Sequence, residues 1–247
     1  MVSAVVPVER VESVRKMLES KISELRSFGL DVGPGRVSVE AVDEREWAIA
    51  FRESFHTIKV GQVVIRPSWE VYRPAPDEVV IELDPGLAFG TGSHPTTRGC
   101  LVALQKHLKG GWTAVDIGTG SGILAIAAAK LGASHVFALD VDPVAVEVAR
   151  RNAKANGVES AVEVREGDIE AVKGKSIDLA VANLTAPDIA AIIPILSTDF
   201  RGLQVAIFSG ILKPQASGIE KTASKNGFAI ADELIEDEWV TVVGRRA

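Results

Sequence analysis

The chain is short of several things that would settle a function quickly. It has one cysteine, Cys100, in 247 residues, so an internal disulfide and a cysteine-built zinc cluster are both excluded. The apolar neighbours of Cys100 mark it as a core thiol of an intracellular protein. No basic block is present: 27 Lys+Arg against 33 Asp+Glu give a formal charge of −6. Broad binding to a nucleic-acid backbone is disfavoured, and a basic protein partner is electrostatically favoured. There is no long apolar run, and Glu9 and Arg10 fall within the first ten residues. Neither a signal peptide nor a membrane span is supported, and a cytoplasmic location is expected. Internal repeats and low-complexity tracts are also missing.

What is present is an α/β pattern. A short strand at 4–6, a helix over 8–28 with Val11, Val14, Leu18, Ile22 and Leu25 on one side, and a strand at 37–42 make a small N-terminal unit, 1–43. A linker helix follows at 43–55, capped by Asp43, with Trp47, Ala50, Phe51 and Phe55 on one face. Short strands cut by prolines then complete a connecting region, 44–80, ahead of a catalytic domain, 81–247. From Thr97 onward strands alternate with helices, the pattern of a mostly parallel, doubly wound sheet. The expected strands are 114–117, 135–139, 161–165, 177–182 and 204–208, followed by a reversed pair within 227–245.

The glycine-rich segment "AVDIGTGSGILAIAAAKLGASHVFALDVDP" carries the chemistry. A strand runs into Gly118, Gly120 and Gly122, then into a helix that is apolar nearly all round and stops at Gly132. Glycines permit a tight turn and close approach of a ligand, and the helix N-terminus beyond offers N–H groups to an anion. Asp140, at the end of the next strand, can accept both hydroxyls of a ribose. Asp142, Pro143 and Gly157 read as cap, first position and stop of the following helix. Asp168, past the third strand, either reaches an adenine amino group or caps a short helix. The spacing is G-x-G-x-G, not the G-x-G-x-x-G of dinucleotide folds, which favours S-adenosylmethionine over NAD.

Just upstream, "LDPGLAFGTGSHPTT" (83–97) concentrates glycine, proline and threonine far beyond what a connector needs. Gly90 and Gly92 allow close backbone approach, Pro95 starts a helix, and Thr96 and Thr97 lie in its first turn. His94 is a candidate general base or a local hydrogen-bonding residue. Phe89 packs on the cofactor or anchors the loop. Asn183, in "VANLTA", emerges at the sheet's carboxyl edge with an amide suited to positioning an acceptor amine or the cofactor.

These segments, together with "FSGIL" and "EDEWV", resemble the PrmA family of ribosomal protein methyltransferases, in order, over roughly residues 44 to 245. The resemblance implies a class I methyltransferase fold, Rossmann-like, with a mostly parallel seven-stranded sheet and a reversed terminal hairpin. It implies S-adenosylmethionine as cofactor, S-adenosylhomocysteine as product, and as acceptors the lysine side chains and N-terminal amine of a large-subunit ribosomal protein. Cofactor contact carries over to Thr97, Gly118, Asp140 and Asn183, with Phe89, Gly90, Thr91 and Gly92 near the methionine end. Thr96, Asp116, Gly120, Gly122, Val141, Asp168 and Ile169 complete the candidate set, and no metal ligand is expected. Action on protein without direct nucleic-acid contact is the expectation; the sequence leaves the oligomeric state open, with a monomer plausible. Adenine- and glutamine-modifying methyltransferases resemble each other at this place in carrying N-P-P-Y or a close variant, but here Asn183 is followed by Leu184, Thr185 and Ala186. No aromatic is left to stack on a nucleobase. Residues 1 to 43 do not align position by position with a recognition domain. The rival readings are a methyltransferase for another protein or RNA, a nicotinamide-dependent oxidoreductase, and a non-catalytic cofactor-binding module.

Overall fold

The computed structural model describes residues 10–27, 33–39, 56–84, 92–200 and 202–246. The strand expected at 4–6 and the linker helix at 43–55 lie outside them. The chain falls into two compact units, Met1–Ser54 and Phe55–Ala247.

In the first unit, helix α1 (Val11–Ser27) follows the expected apolar spacing, with Met17 and Leu18 exposed. Gly33 and Gly35 both adopt positive φ, and the guanidinium of Arg26 donates to the carbonyl of Pro34 (3.0 Å). This turns the chain back on the end of its own helix. Residues 37–39 join no strand ladder, so the described part of the strand expected at 37–42 is irregular. A β-rich sequence there has no partner strand among the described residues to complete its hydrogen bonds.

The second unit opens with a three-stranded sheet: β1 (Ile58–Val60) antiparallel to β2 (Val63–Arg66), and β2 parallel to β3 (Val79–Glu82). The proline-cut segment is thus an ordered layer of this unit. Val63, Ile65 and Ile81 share a core with helices α2 (Pro95–His107) and α3 (Ile123–Lys130). Three side chains tie its backbone down. Asn156 donates to the Glu82 carbonyl (2.7 Å) and accepts its N–H (2.9 Å). The ammonium of Lys130 donates to the Val80 carbonyl (2.6 Å), and Gln105 pairs with the Val60 carbonyl and the Gln62 N–H.

The main sheet has seven strands: β4 (Thr113–Ile117), β5 (His135–Asp140), β6 (Val162–Glu166), β7 (Leu179–Asn183), β8 (Val205–Leu212), β9 (Phe228–Glu236) and β10 (Trp239–Arg246). Their spatial order is β6-β5-β4-β7-β8-β10-β9. All run parallel except β10, which is antiparallel to both neighbours. The fold is therefore the expected Rossmann-like one with a reversed terminal hairpin. Alternation explains the burial of both faces. Ala114, Val136, Ala138, Leu179, Val181, Val205 and Ile207 meet α2, α3 and α4 (Pro143–Ala155). Val115, Phe137, Leu139, Ala180, Ala182, Ala206 and Phe208 meet α5 (Ala186–Asp199) and α6 (Lys213–Lys225) on the other side. Strands apolar on both faces suit a parallel sheet covered twice. The strand order reverses between β4 and β7, and the crevice above that point is where such sheets take ligands.

Candidate donor pocket

Above that crevice lies a cavity of about 480 Å³. Of the residues singled out in the sequence, Thr97, Gly118, Gly120, Asp140, Val141, Asp168, Ile169 and Asn183 line it. Phe89, Gly90 and Thr91 lie outside the described residues. A second cavity of the same size runs between α4 and β6, from His135 to Glu163. It meets none of the candidate residues.

The glycine turn forms as its sequence demands. Gly118, Gly120 and Gly122 adopt φ of +74°, +54° and +83°, a region that favours glycine. At Gly118 a Cβ would stand 2.5 Å from the Leu184 side chain. At Gly122 it would stand 3.2 Å from Ala149, so this third glycine serves helix packing and does not line the cavity. The turn's own N–H groups are committed within the protein. Those of Gly118 and Thr119 donate to the Leu139 carbonyl, that of Gly122 to Thr119, and that of Gly120 to Asp140 Oδ2 (2.8 Å). Three of these four N–H groups are thus tied to the end of β5 and one stays within the turn.

Asp140 thus holds the turn as well as facing the cavity. Its Oδ1 accepts the Asp142 N–H (3.0 Å), which leaves each carboxylate oxygen a lone pair for a ligand hydroxyl. Asp142 caps α4 by accepting the Val144 N–H. Asp168 caps a short 3₁₀ turn, Ile169–Val172, by accepting the Glu170 N–H (3.0 Å), and it lines the cavity too. Of its two expected roles the cap is the one formed within the protein. Beside it, Val141 is 72% exposed while Ile169 is buried, giving an apolar lip suited to the flat face of a base.

Asp116 lies behind the wall. It is fully buried, and its Oδ2 accepts the Thr119 hydroxyl (2.6 Å) and the Ala125 N–H (3.1 Å). Its Oδ1 has no hydrogen-bond partner among the described residues. Burial pushes the carboxyl up to about 7, against the lowering effect of those two hydrogen bonds.

The threonine-bearing segment supplies the opposite wall. His94 caps α2: its Nδ1 accepts the Thr96 N–H (3.3 Å) and pairs with Thr96 Oγ1 (2.8 Å), which places the ring proton on Nε2. The ring stands edge-on to Trp239, centroids 5.0 Å apart. Thr97 faces Asn183, whose Nδ2 lies 3.5 Å from the threonine oxygen. Thr96 and Gly92 turn away. Thr96 is buried, its carbonyl accepting the Ser209 hydroxyl, and a Cβ on Gly92 would stand 2.3 Å from Ile65.

Sequence reasoning missed one wall, formed by Leu184, Asp188 and Ile192. Asp188 and Ile192 stand four apart on α5, a spacing that marks one helix face, while Leu184 precedes its cap. Three aspartates line the cavity and no Lys, Arg or His does among the described residues. Such a wall suits a cationic nucleoside and disfavours a pyrophosphate. The glycine cradle, the ribose-ready Asp140 and the apolar lip fit S-adenosylmethionine by shape and by charge. Among the described residues no group of His, Cys, Asp and Glu could hold a metal ion, and no helix is long and apolar enough to cross a membrane.

Comparison with known proteins agrees with this reading. Residues 2–247 match the family model described as "Ribosomal protein L11 methyltransferase (PrmA)". The chain is 42% identical over 233 residues to the ribosomal protein L11 methyltransferase of Bacillus cytotoxicus, covering 93% of this chain and 74% of that one. It is 42% identical over 231 residues to that of Caldanaerobacter subterraneus, with the same coverage. The crystal structure of a ribosomal protein L11 methylase from Lactobacillus delbrueckii superposes with a TM-score of 0.72 at 35% identity, over 78% of this chain and 100% of that one. A putative RNA methyltransferase of Pyrococcus horikoshii superposes at 0.54 with 20% identity, over 82% and 98%; that likeness is one of fold.

Proposed function

The chain belongs to the ribosomal protein L11 methyltransferase family, and from that premise we propose that its pocket binds S-adenosylmethionine for methyl transfer to lysine and N-terminal amines of L11. The observation that carries the reading is the cavity wall: three carboxylates, no cation among the described residues, and a glycine cradle at the strand-order reversal. A nicotinamide dinucleotide would bring a pyrophosphate to a turn whose Gly118, Thr119, Gly120 and Gly122 N–H groups are already used.

S-adenosylmethionine supplies the electrophilic methyl group, so the protein's work is position and environment. Asp140 orients the ribose, Val141 and Ile169 flank the base, and Asp168 reaches the base edge. Gly118 lets the methionine end approach the backbone, and Thr97 with Asn183 closes that end. The Asn183 amide, at the carboxyl edge of β7, orients the incoming amine. An acceptor lysine must be neutral to attack; desolvation beside Leu184 and Ile192 favours the neutral form, Asp188 on the same wall opposes it, and water or a nearby acceptor takes the proton. His94 is committed to capping through Nδ1, so we assign it to ordering the loop.

The N-terminal unit, taken as residues 1–43 with a connector to 80, is assigned to substrate capture. The net charge of −6 complements a basic acceptor. We place the reaction in the cytoplasm. Incubating the protein with methyl-labelled S-adenosylmethionine and purified L11 is expected to label L11 amines. Label in RNA, or no label together with tight binding of NAD, would overturn the reading.

A further inference from the structure

Two motifs have no part in the pocket wall, "FSGIL" in β8 and "EDEWV" at the β9–β10 turn, yet both meet behind it. Ser209 pairs in register with Asn183 across the β7–β8 ladder. Opposite, β8 and β10 slip register between Val240 and Val242, so Ser209 and Gly210 together face Thr241. This is a β-bulge, a device that re-aims side chains. Gly210 takes φ of +87°, and a Cβ there would fall 2.1 Å from the Leu184 carbonyl oxygen.

The bulge is wired to both pocket walls. The Leu184 N–H donates to the Ser209 carbonyl (3.1 Å). Ser209 Oγ donates to the Thr96 carbonyl (3.1 Å) and sits 2.7 Å from Thr241 Oγ1. Ser209 has one hydroxyl proton, spent on Thr96, so Thr241 is the donor to Ser209. Both hydroxyls are at least 98% buried, where an unmade hydrogen bond is costly. Thr241 also fits against Gly99 of α2, whose added Cβ would fall 2.2 Å from the threonine oxygen.

We infer that Ser209 and Thr241 are positioning residues of the donor pocket, holding Thr96, and with it Thr97, at a fixed distance from Asn183 and Leu184. Neither touches the cavity; they act through the first turn of α2. The inference rests on the donor-binding reading above.

The test compares Thr241→Val, which keeps the shape and removes the hydroxyl, with Thr241→Ser, which does the reverse, and adds Ser209→Ala. S-Adenosylmethionine affinity is measured by calorimetry well below each melting temperature, beside kcat and KM for L11 methylation. Thr241→Val and Ser209→Ala are expected to weaken donor binding by about tenfold, the scale of one lost buried hydrogen bond. Thr241→Ser is expected to retain wild-type affinity while melting lower. KM for L11 should stay unchanged in all three. If Thr241→Val folds and binds the donor as tightly as the wild type, or if Thr241→Ser weakens binding equally, the positioning role is overturned and the residues merely pack. A wild-type chain that fails to bind S-adenosylmethionine overturns the functional reading as well.

Discussion

Replacing Asp116 with asparagine should make the protein's stability less dependent on pH, and the direction of that change discriminates between two pictures of the buried acid. Burial holds its carboxyl at about 7, against an ordinary value of 3.8. The native state therefore keeps a proton that the unfolded chain has released. Below about pH 4 both states are protonated and the full stability is present. As pH rises towards 7 the wild type loses about 1.4 kcal/mol per pH unit from this group, a total of about 4 kcal/mol. Above 7 both states are ionised and the loss is complete. Asp199 and Asp232, held low by Lys173 and Lys106 respectively, lose stability only in more acid solution. Urea midpoints of the wild type and Asp116→Asn, taken from pH 5 to 8 at fixed ionic strength, isolate the term by difference. The variant should gain on the wild type as pH rises to 7, then run parallel to it. A difference that is flat, or that favours the wild type at high pH, would mean that Asp116 is charged in the fold and that its unpartnered Oδ1 is compensated.

Three further perturbations follow from the geometry. Gly210→Ala drives a Cβ into the Leu184 backbone and forces a left-handed alanine, which alone costs about 1–2 kcal/mol; a large drop in melting temperature is expected, and an unchanged one refutes the close approach. Asp140→Ala strands the Gly120 and Asp142 N–H groups, costing about 1–3 kcal/mol, and should abolish donor binding in calorimetry. Asn156→Ala frees both polar groups of Glu82 and should lower the urea midpoint by a similar amount, about 1–3 kcal/mol, with limited proteolysis in 56–84 reporting whether the small sheet has come loose.

The main sheet was legible because its strands carry short, doubly apolar runs between helices with clear start and stop residues such as Asp142, Pro143 and Gly132. The segment 56–84 was not. Its strands are three or four residues long and cut by Pro67, Pro74 and Pro76, and what orders them is Asn156, Lys130 and Gln105, more than twenty residues downstream. In the site, the glycine turn and Asp140 could be placed from local order alone. The turn's inward N–H groups could not, since Leu139 accepts two of them only once β4 and β5 are paired. Asp116 read as a cofactor contact and instead lies behind the turn, a distinction of depth that a strand's alternation does not resolve. Ser209 and Thr241 meet across a bulge 32 residues apart, which no periodicity announces.

The placement of β10 between β8 and β9 has a consequence for biosynthesis. The strand translated last of the seven is threaded into the interior of the sheet, between two made earlier. Until it leaves the ribosomal tunnel, β8 presents an unpaired edge and Ser209 lacks its partner. A chain stalled before Trp239 would keep every residue lining the cavity but expose the β8 margin and leave Ser209 without Thr241.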